Sequence, residues 1–248
     1  MAGIELRPED IFHKSQLYRL LMEIIDVPVL AQSLAFKGGT CAAMLGYLDR
    51  FSVDLDFDQI PDTDEEVIRK NFLAVFMKLG LEVLVTFDNA LFFQLRYKND
   101  PGKRNELKVS ASSIFIAANA YKVQYFPEID RFINSQTIET MFANKLVAVM
   151  DRFIQHSTIA VRDIYDVHHF FIKGYDYKPD IILERTGLTP IEYFESLESF
   201  IRKNVTQRMV DEDLNSLLPN QVFQSIRKIL IPETLSILRR EIQTNKRI

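Results

Sequence analysis

Apolar positions recur at helical spacing over residues 8–27, where Ile11, Leu17, Leu20, Leu21 and Ile24 fall on one side of a predicted amphipathic helix. Val29, Leu30, Leu34 and Phe36 form a short apolar stretch that predicts a strand, Gly38 and Gly39 interrupt it, and Cys41 to Leu48 reads as helix. The period then changes to two. Val53, Leu55 and Phe57 alternate with Asp54, Asp56 and Asp58, so a strand here packs its apolar residues inward and turns three carboxylates to one face. Pro61 and the acidic run to Glu66 open a helix that stops at Gly80. Strand-like stretches follow at 81–87, 91–97 and 107–112, with a fourth at 121–126, and Lys98 to Asn105, containing Asn-Asp-Pro-Gly, reads as a hairpin turn. From Ser135 onward the pattern is helical, broken near Ser157, at Gly174 to Pro179, at Gly187, near Pro219 and at Pro232. The expectation is an α+β chain: a mixed-sheet lobe flanked by helices over residues 1–130, then a mostly helical lobe over 131–248.

The segment FKGGTCAAMLGYLDRFSVDLDFD, residues 36–58, carries the densest chemistry. A glycine pair at a strand-to-helix turn lets the backbone approach an anion, with the first helical N–H groups aimed at it. Thr40 can cap that helix or donate to a phosphate. Carboxylates at i and i+2 on a strand lie roughly 6–7 Å apart, a spacing that suits Mg²⁺ held jointly by protein carboxylates and substrate phosphates. Two rivals share these residues: a solvated acidic strand, or a calcium loop with Asp54, Asp56, Asp58 and Glu65 as ligands. The loop reading meets Gln59 where the turn glycine belongs, an out-of-place Pro61, and bulky Leu55 and Phe57 where such loops are polar.

This segment resembles the first motif of the nucleotidyltransferase superfamily with the DNA polymerase beta fold, in the variant of the AbiEii/AbiGii toxin family. The GGT turn, LDRFS and DLDFD all match. Lys145, Leu146, Ala148 and Arg152 in NKLVAVMDR, with Arg162, Asp163 and Asp166 in RDIYDVHHF, resemble the family's later motifs. The resemblance implies a polymerase-beta-like lobe and transfer of a nucleoside monophosphate from an NTP to a hydroxyl. The triphosphate would lie on Lys37, Gly38, Gly39 and Thr40, Mg²⁺ or Mn²⁺ on Asp54 and Asp56, and Lys145 would offset phosphate charge. Asp163 and Asp166 complete the implied catalytic set, and Arg152 and Arg162 the implied nucleotide-binding set. It further implies an RNA acceptor, in related toxins the 3′ end of tRNA, and a cognate antitoxin. Read as residues alone, Lys145 and Arg152 share one helical stripe, and Arg162, Asp166 and His169 another, which also suits an ion-pair network joining two helices.

One position departs from the superfamily pattern, which brings a third acid on a later strand. Aligning LKVSA to it puts Ser110 there; Glu106 substitutes only in a different register, and Asp163 or Asp166 is the alternative carboxylate. The departure keeps open an NTP-binding module without catalysis, alongside a transferase acting on a protein or small molecule.

Composition narrows the setting. The 248 residues are 47% apolar, enough for a large core, and carry a formal net charge of −4, which argues against indiscriminate nucleic-acid binding. Lys98, Lys103, Arg104 and Lys108 nevertheless bracket the hairpin as a local basic cluster, while the C-terminal cations read mostly as solvated helix faces. One cysteine excludes a disulfide framework, and Cys41 reads as a small packing residue. Neither a leader pattern nor a long apolar span is evident, so the expectation is a cytoplasmic protein with no membrane partner.

Overall fold

The computed structural model describes residues 8–245. In chain order the elements are α1 (Pro8–Ile25), α2 (Pro28–Ser33), β1 (Leu34–Lys37), α3 (Gly38–Met44), β2 (Leu55–Gln59), α4 (Glu65–Leu79), β3 (Glu82–Phe87), β4 (Ala90–Arg96), β5 (Glu106–Ser112), β6 (Tyr121–Phe126) and β7 (Arg131–Gln136). Helices α5 (Ile138–His156), α6 (Val161–Ile172), α7 (Pro179–Thr186), α8 (Pro190–Asn204), α9 (Gln207–Leu214), α10 (Asn220–Ile226) and α11 (Leu230–Asn245) follow. The chain divides into two compact units. One takes the chain through Gly46, Phe51–Phe115 and Tyr121–Gln136; the other takes Tyr47–Arg50, Ile116–Ala120 and everything from Thr137. The β6–β7 hairpin spans residue 130, where the sequence pattern set the lobe boundary.

The first unit is a sheet with one face buried. Among the described residues seven strands pair in the order β3-β4-β5-β2-β1-β7-β6, with β1–β7 and β2–β5 parallel and the rest antiparallel. Phe36, Leu55, Phe57, Leu91, Phe93, Leu95, Leu107, Val109 and Ile133 point to the buried face. Helix α4 packs Phe72 and Phe76 there, the former against Phe57 and both against Phe93. Asp64 caps α4 by accepting from the backbone N–H groups of Glu66 and Val67, and Gly80 ends it in the left-handed conformation, φ 68°.

Three expectations change. Residues 28–33 form a helical turn rather than strand, because Pro28 sits at the first helical position where its missing N–H costs nothing. Ile11 is 57% exposed: the buried stripe of α1 runs through Asp10, His13, Leu17, Leu20, Leu21 and Ile24, one residue off Ile11. His13 fills its place in the stripe by bonding the Tyr97 hydroxyl (2.8 Å) and the Val53 carbonyl (3.1 Å). Strand β7 lies where no strand was expected, since Phe132 and Ile133 break the alternation and Ser135 and Gln136 are buried despite being polar.

The second unit is helical. Helix α5, capped by the Thr137 hydroxyl, pairs with α6, and Ser157 ends α5 at φ 53°. Val161 and Tyr165 of α6 pack on Val210, Leu214, Leu218, Phe223 and Leu230. Pro232 lies in the first turn of α11 and so opens that helix rather than breaking it.

Candidate active site

The first cluster is built where β1 turns into α3. Gly38 takes φ +79°, a backbone state that favours glycine, and a β-carbon placed there would lie 2.6 Å from Asp56 Oδ2. The acidic strand therefore lies directly against the glycine turn. Register puts Lys37 opposite Asp56 on one side and Ser110 beside it on the other. The Ser110 hydroxyl donates to Asp56 Oδ1 at 2.7 Å, which orients the half-buried carboxylate with its other oxygen toward Gly38. Thr40 is buried and donates to the backbone carbonyl of Asp54 at 2.5 Å. It thus fixes the entry to β2; the N-cap position of α3 is Lys37, with no side-chain cap. Asp54 precedes β2 and is part-exposed.

Asp58, the third acid of the alternation, is buried and fully engaged. It accepts from Lys37 Nζ at 2.5 Å, Tyr121 at 2.9 Å and Gln136 at 2.7 Å, tying β1, β2, β6 and β7 together. Lys37 is consumed by that pair. Glu106 is four residues from Ser110 along β5, about 13 Å at strand rise, and accepts from Gln94 at 2.6 Å and Arg96 at 3.1 Å. The register that would bring it beside Asp56 does not occur: Asp56 pairs with Ser110.

The second cluster belongs to the helical unit. Asp163 and Asp166, one turn apart on α6, converge on Lys145 of α5, whose ammonium lies 2.7 Å and 3.1 Å from them. Arg152 approaches the other Asp163 oxygen at 3.4 Å. Arg50 completes the knot with a bidentate grip on Asp166, 2.5 Å and 2.7 Å, and both partners are buried. Burial opposes ionisation of Asp163, but the Lys145, Arg152 and Arg50 charges outweigh it and hold the carboxyl down to about 2. Burial likewise opposes the charge on Lys145, and the two aspartates raise its pKa despite Arg50. Such a depressed carboxyl makes a poor general base and a good anchor for an ammonium. Arg162 is turned away from this knot: its backbone N–H donates to Asp213 at 3.1 Å, and its guanidinium, 40% exposed, lies 4.0 Å from the same carboxylate.

The family model for the AbiEii nucleotidyl transferase toxin of type IV toxin–antitoxin systems matches residues 19–234. The chain belongs to this family. AbiEii membership makes it a nucleotidyltransferase and a toxin-family protein, for which a nucleotide substrate and a cognate antitoxin follow. Two Helicobacter pylori crystal structures share its fold. One, a presumed nucleotidyltransferase, is 19% identical with a TM-score of 0.61, the alignment covering 98% of each chain. The other, JHP933, is 17% identical with a TM-score of 0.55, covering 98% of this chain and 97% of its own. Comparison with curated proteins returns no match.

The chain carries its implied residues in two separate sets. Gly38, Gly39, Thr40, Asp54 and Asp56 belong to the first unit, and Lys145, Arg152, Asp163 and Asp166 to the second. Among the described residues no three His, Cys, Asp or Glu side chains gather as a metal site. That donor set excludes an all-protein cage. It fits Mg²⁺, which binds through one or two carboxylates and completes its shell with water and substrate phosphates. Arg50 and Asp49 are what sequence reasoning missed. Asp49 accepts from the Tyr165 hydroxyl at 2.7 Å and lies 3.2 Å from His169 Nδ1. Two charged residues in a row between Leu48 and Phe51, both buried, were the available signal. No helix among the described residues is long and apolar enough to cross a membrane.

Proposed function

We propose that this nucleotidyltransferase moves a nucleoside monophosphate from an NTP to the terminal hydroxyl of an RNA, the 3′ end of a tRNA, in a Mg²⁺-dependent reaction that Mn²⁺ also supports, as the toxin of a type IV pair in the cytoplasm. The observation that carries the reading is the Asp56 carboxylate lying against Gly38. A phosphate cradled on Gly38 and Gly39 then lies within reach of the same carboxylate, with no β-carbon intervening.

In this reading Asp54 and Asp56 hold the metal, and Mg²⁺ supplies charge neutralisation and orientation to the triphosphate when bound. The acceptor oxygen forms a bond to the α-phosphorus, the bond from that phosphorus to the bridging β-phosphate oxygen breaks, and pyrophosphate leaves. The hydroxyl proton passes to solvent, since Ser110 stands where a carboxylate would otherwise take it. The chain contributes positioning and charge more than covalent chemistry. Lys145, its ammonium fixed by Asp163 and Asp166, and Arg152 beside it are the cations offered to phosphate. Arg50 and the two aspartates position that ammonium.

The test is to incubate the protein with Mg²⁺, each α-labelled NTP in turn and total RNA, beside an Asp54→Ala/Asp56→Ala control. Label in a tRNA-sized band that requires the intact acids, and is lost with chelator, supports the proposal. Label appearing instead in protein or a small molecule overturns the acceptor. Saturable, Mg²⁺-dependent thermal stabilisation by NTP with no pyrophosphate release overturns catalysis in favour of a nucleotide-binding module, the outcome that Ser110 in the third-acid position favours.

A further inference from the structure

The open face of the sheet carries aromatic residues that the phosphate and metal chemistry leaves unused. Register sets a row across four strands: Lys37 opposite Asp56, Asp56 beside Ser110, Ser110 opposite Phe92. Adjacent strands lie about 4.8 Å apart, so the backbone at Phe92 stands about 10 Å from that at Asp56, with both side chains on one face. On edge strand β3, Phe87 pairs with Ala90 and so joins the same face, 51% exposed, its ring 5.5 Å from that of Phe92 at 37°. Lys108, two residues from Ser110 along β5, is exposed on this face opposite Gln94. Among the described residues it makes no ion pair, and its neighbour Glu106 is already engaged by Gln94 and Arg96.

An exposed Phe87 in contact with a half-buried Phe92, with Val85 exposed opposite Gln94 on the same face, leaves apolar area facing solvent. A cation beside them makes the patch suited to a partner that is both flat and anionic. The opposite flank of the sheet also exposes apolar side chains, Val123, Tyr125 and Phe132, but there Asp130 accepts from the Tyr125 hydroxyl and adds negative charge. Asp88 is likewise exposed next to Phe87, so it is Lys108, unpaired among the described residues, that favours the β3–β4–β5 side for a polyanion.

We propose that Phe87, Phe92 and Lys108 form the landing track for the single-stranded 3′ end of the RNA acceptor. A base stacks on the phenylalanine pair, Lys108 meets a backbone phosphate, and the strand's end points along the row toward Ser110 and Asp56. The inference rests on the RNA reading above. Base stacking on aromatic side chains contributes enough that losing it weakens single-strand binding about 5- to 140-fold.

The experiment measures binding of a short fluorescein-labelled single-stranded RNA by anisotropy across a salt series, with NTP-induced thermal stabilisation recorded in parallel. Phe92→Leu keeps the apolar volume and should weaken RNA binding within that range while leaving the NTP shift unchanged; Phe92→Tyr should restore binding. Lys108→Ala should flatten the slope of log K against log salt by about 0.7, the loss of one single-strand phosphate contact. Equal RNA binding by wild type, Phe92→Leu and Lys108→Ala overturns the track alone. A loss of the NTP shift with RNA binding intact overturns it in favour of the incoming nucleotide's base, and loss only of a co-expressed antitoxin overturns it in favour of a protein surface. No RNA binding by wild type overturns the RNA reading and the track together.

Discussion

Gly38→Ala tests the contact on which the first cluster depends. The added methyl would meet Asp56 Oδ2 at 2.6 Å, Cβ at 3.0 Å and Cγ at 3.2 Å, where ordinary contact begins near 3.4 Å. The carboxylate or the turn must therefore yield by about 0.8 Å. A displacement of that order at a reacting centre costs about 100-fold in rate. The left-handed backbone adds strain of about 1–2 kcal/mol, which in a protein of this size lowers the melting temperature by roughly 2–8 °C. Gly80→Ala is the matched control: its φ is also positive, at 68°, but nothing lies within 4 Å of the new methyl. Both variants should melt earlier, and only Gly38→Ala should lose transfer of label from NTP by about 100-fold. If the two variants retain activity equally, the closeness of turn and carboxylate has no catalytic meaning and the argument from Gly38 fails.

Ser110→Asp adds a second carboxylate beside Asp56; the apo protein should melt lower and regain the loss when Mg²⁺ is added, read by calorimetry with and without chelator, and a Mg²⁺-independent melt would remove the metal from this site. Arg50→Met leaves the buried Asp166 with Lys145 as its remaining close cation, so unfolding in urea should show a loss of about 3–5 kcal/mol; a loss below 1 kcal/mol would mean that the ion pair is not maintained in solution. Asp163 is held at about 2 against an ordinary value of 3.8, so its contribution of about 2 kcal/mol is fully present above pH 4 and is lost as pH falls from there towards 2. Asp163→Asn should flatten the acid limb of the stability profile over that window, and an unchanged limb would refute the assignment.

What could be read from the sequence was what repeats locally. Alternation gave the orientation of β2, and the capping Asp64 with Gly80 bounded α4. The hairpin from Asn-Asp-Pro-Gly joins β4 to β5 as its turn residues predict. Partnership was not legible. Thr40 read as a ligand residue from its place after the glycines and Lys37 from the family resemblance, yet the side chains of both bond to the protein itself, Lys37 to Asp58 and Thr40 to the Asp54 carbonyl. Strand β7 escaped because polar Ser135 and Gln136, on opposite faces of the strand, are both buried by sheet neighbours, Ser135 beside Phe36 and Gln136 on Asp58, and no hydrophobic period marks them. Arg50 belongs to a different compact unit from Phe51, which follows it, and no periodicity encodes that separation.

The buried face of the sheet explains why the first cluster lies where it does. Once Phe36, Leu55, Phe57, Leu91, Phe93, Leu107 and Val109 are committed to one side, strand geometry obliges Lys37, Asp56, Asp58, Ser110, Phe92 and Lys108 to the other. Chemistry on such a face is then decided by which polar residues are neutralised internally. Asp58 is neutralised by Lys37, and Glu106 by Arg96 and Gln94, so both serve the sheet. Asp56 receives one serine hydroxyl and no cation within ion-pair distance among the described residues, and its second oxygen faces a glycine. An uncompensated carboxylate beside a β-carbon-free turn favours the arrival of a cation, and a triphosphate brought with that cation satisfies the turn as well.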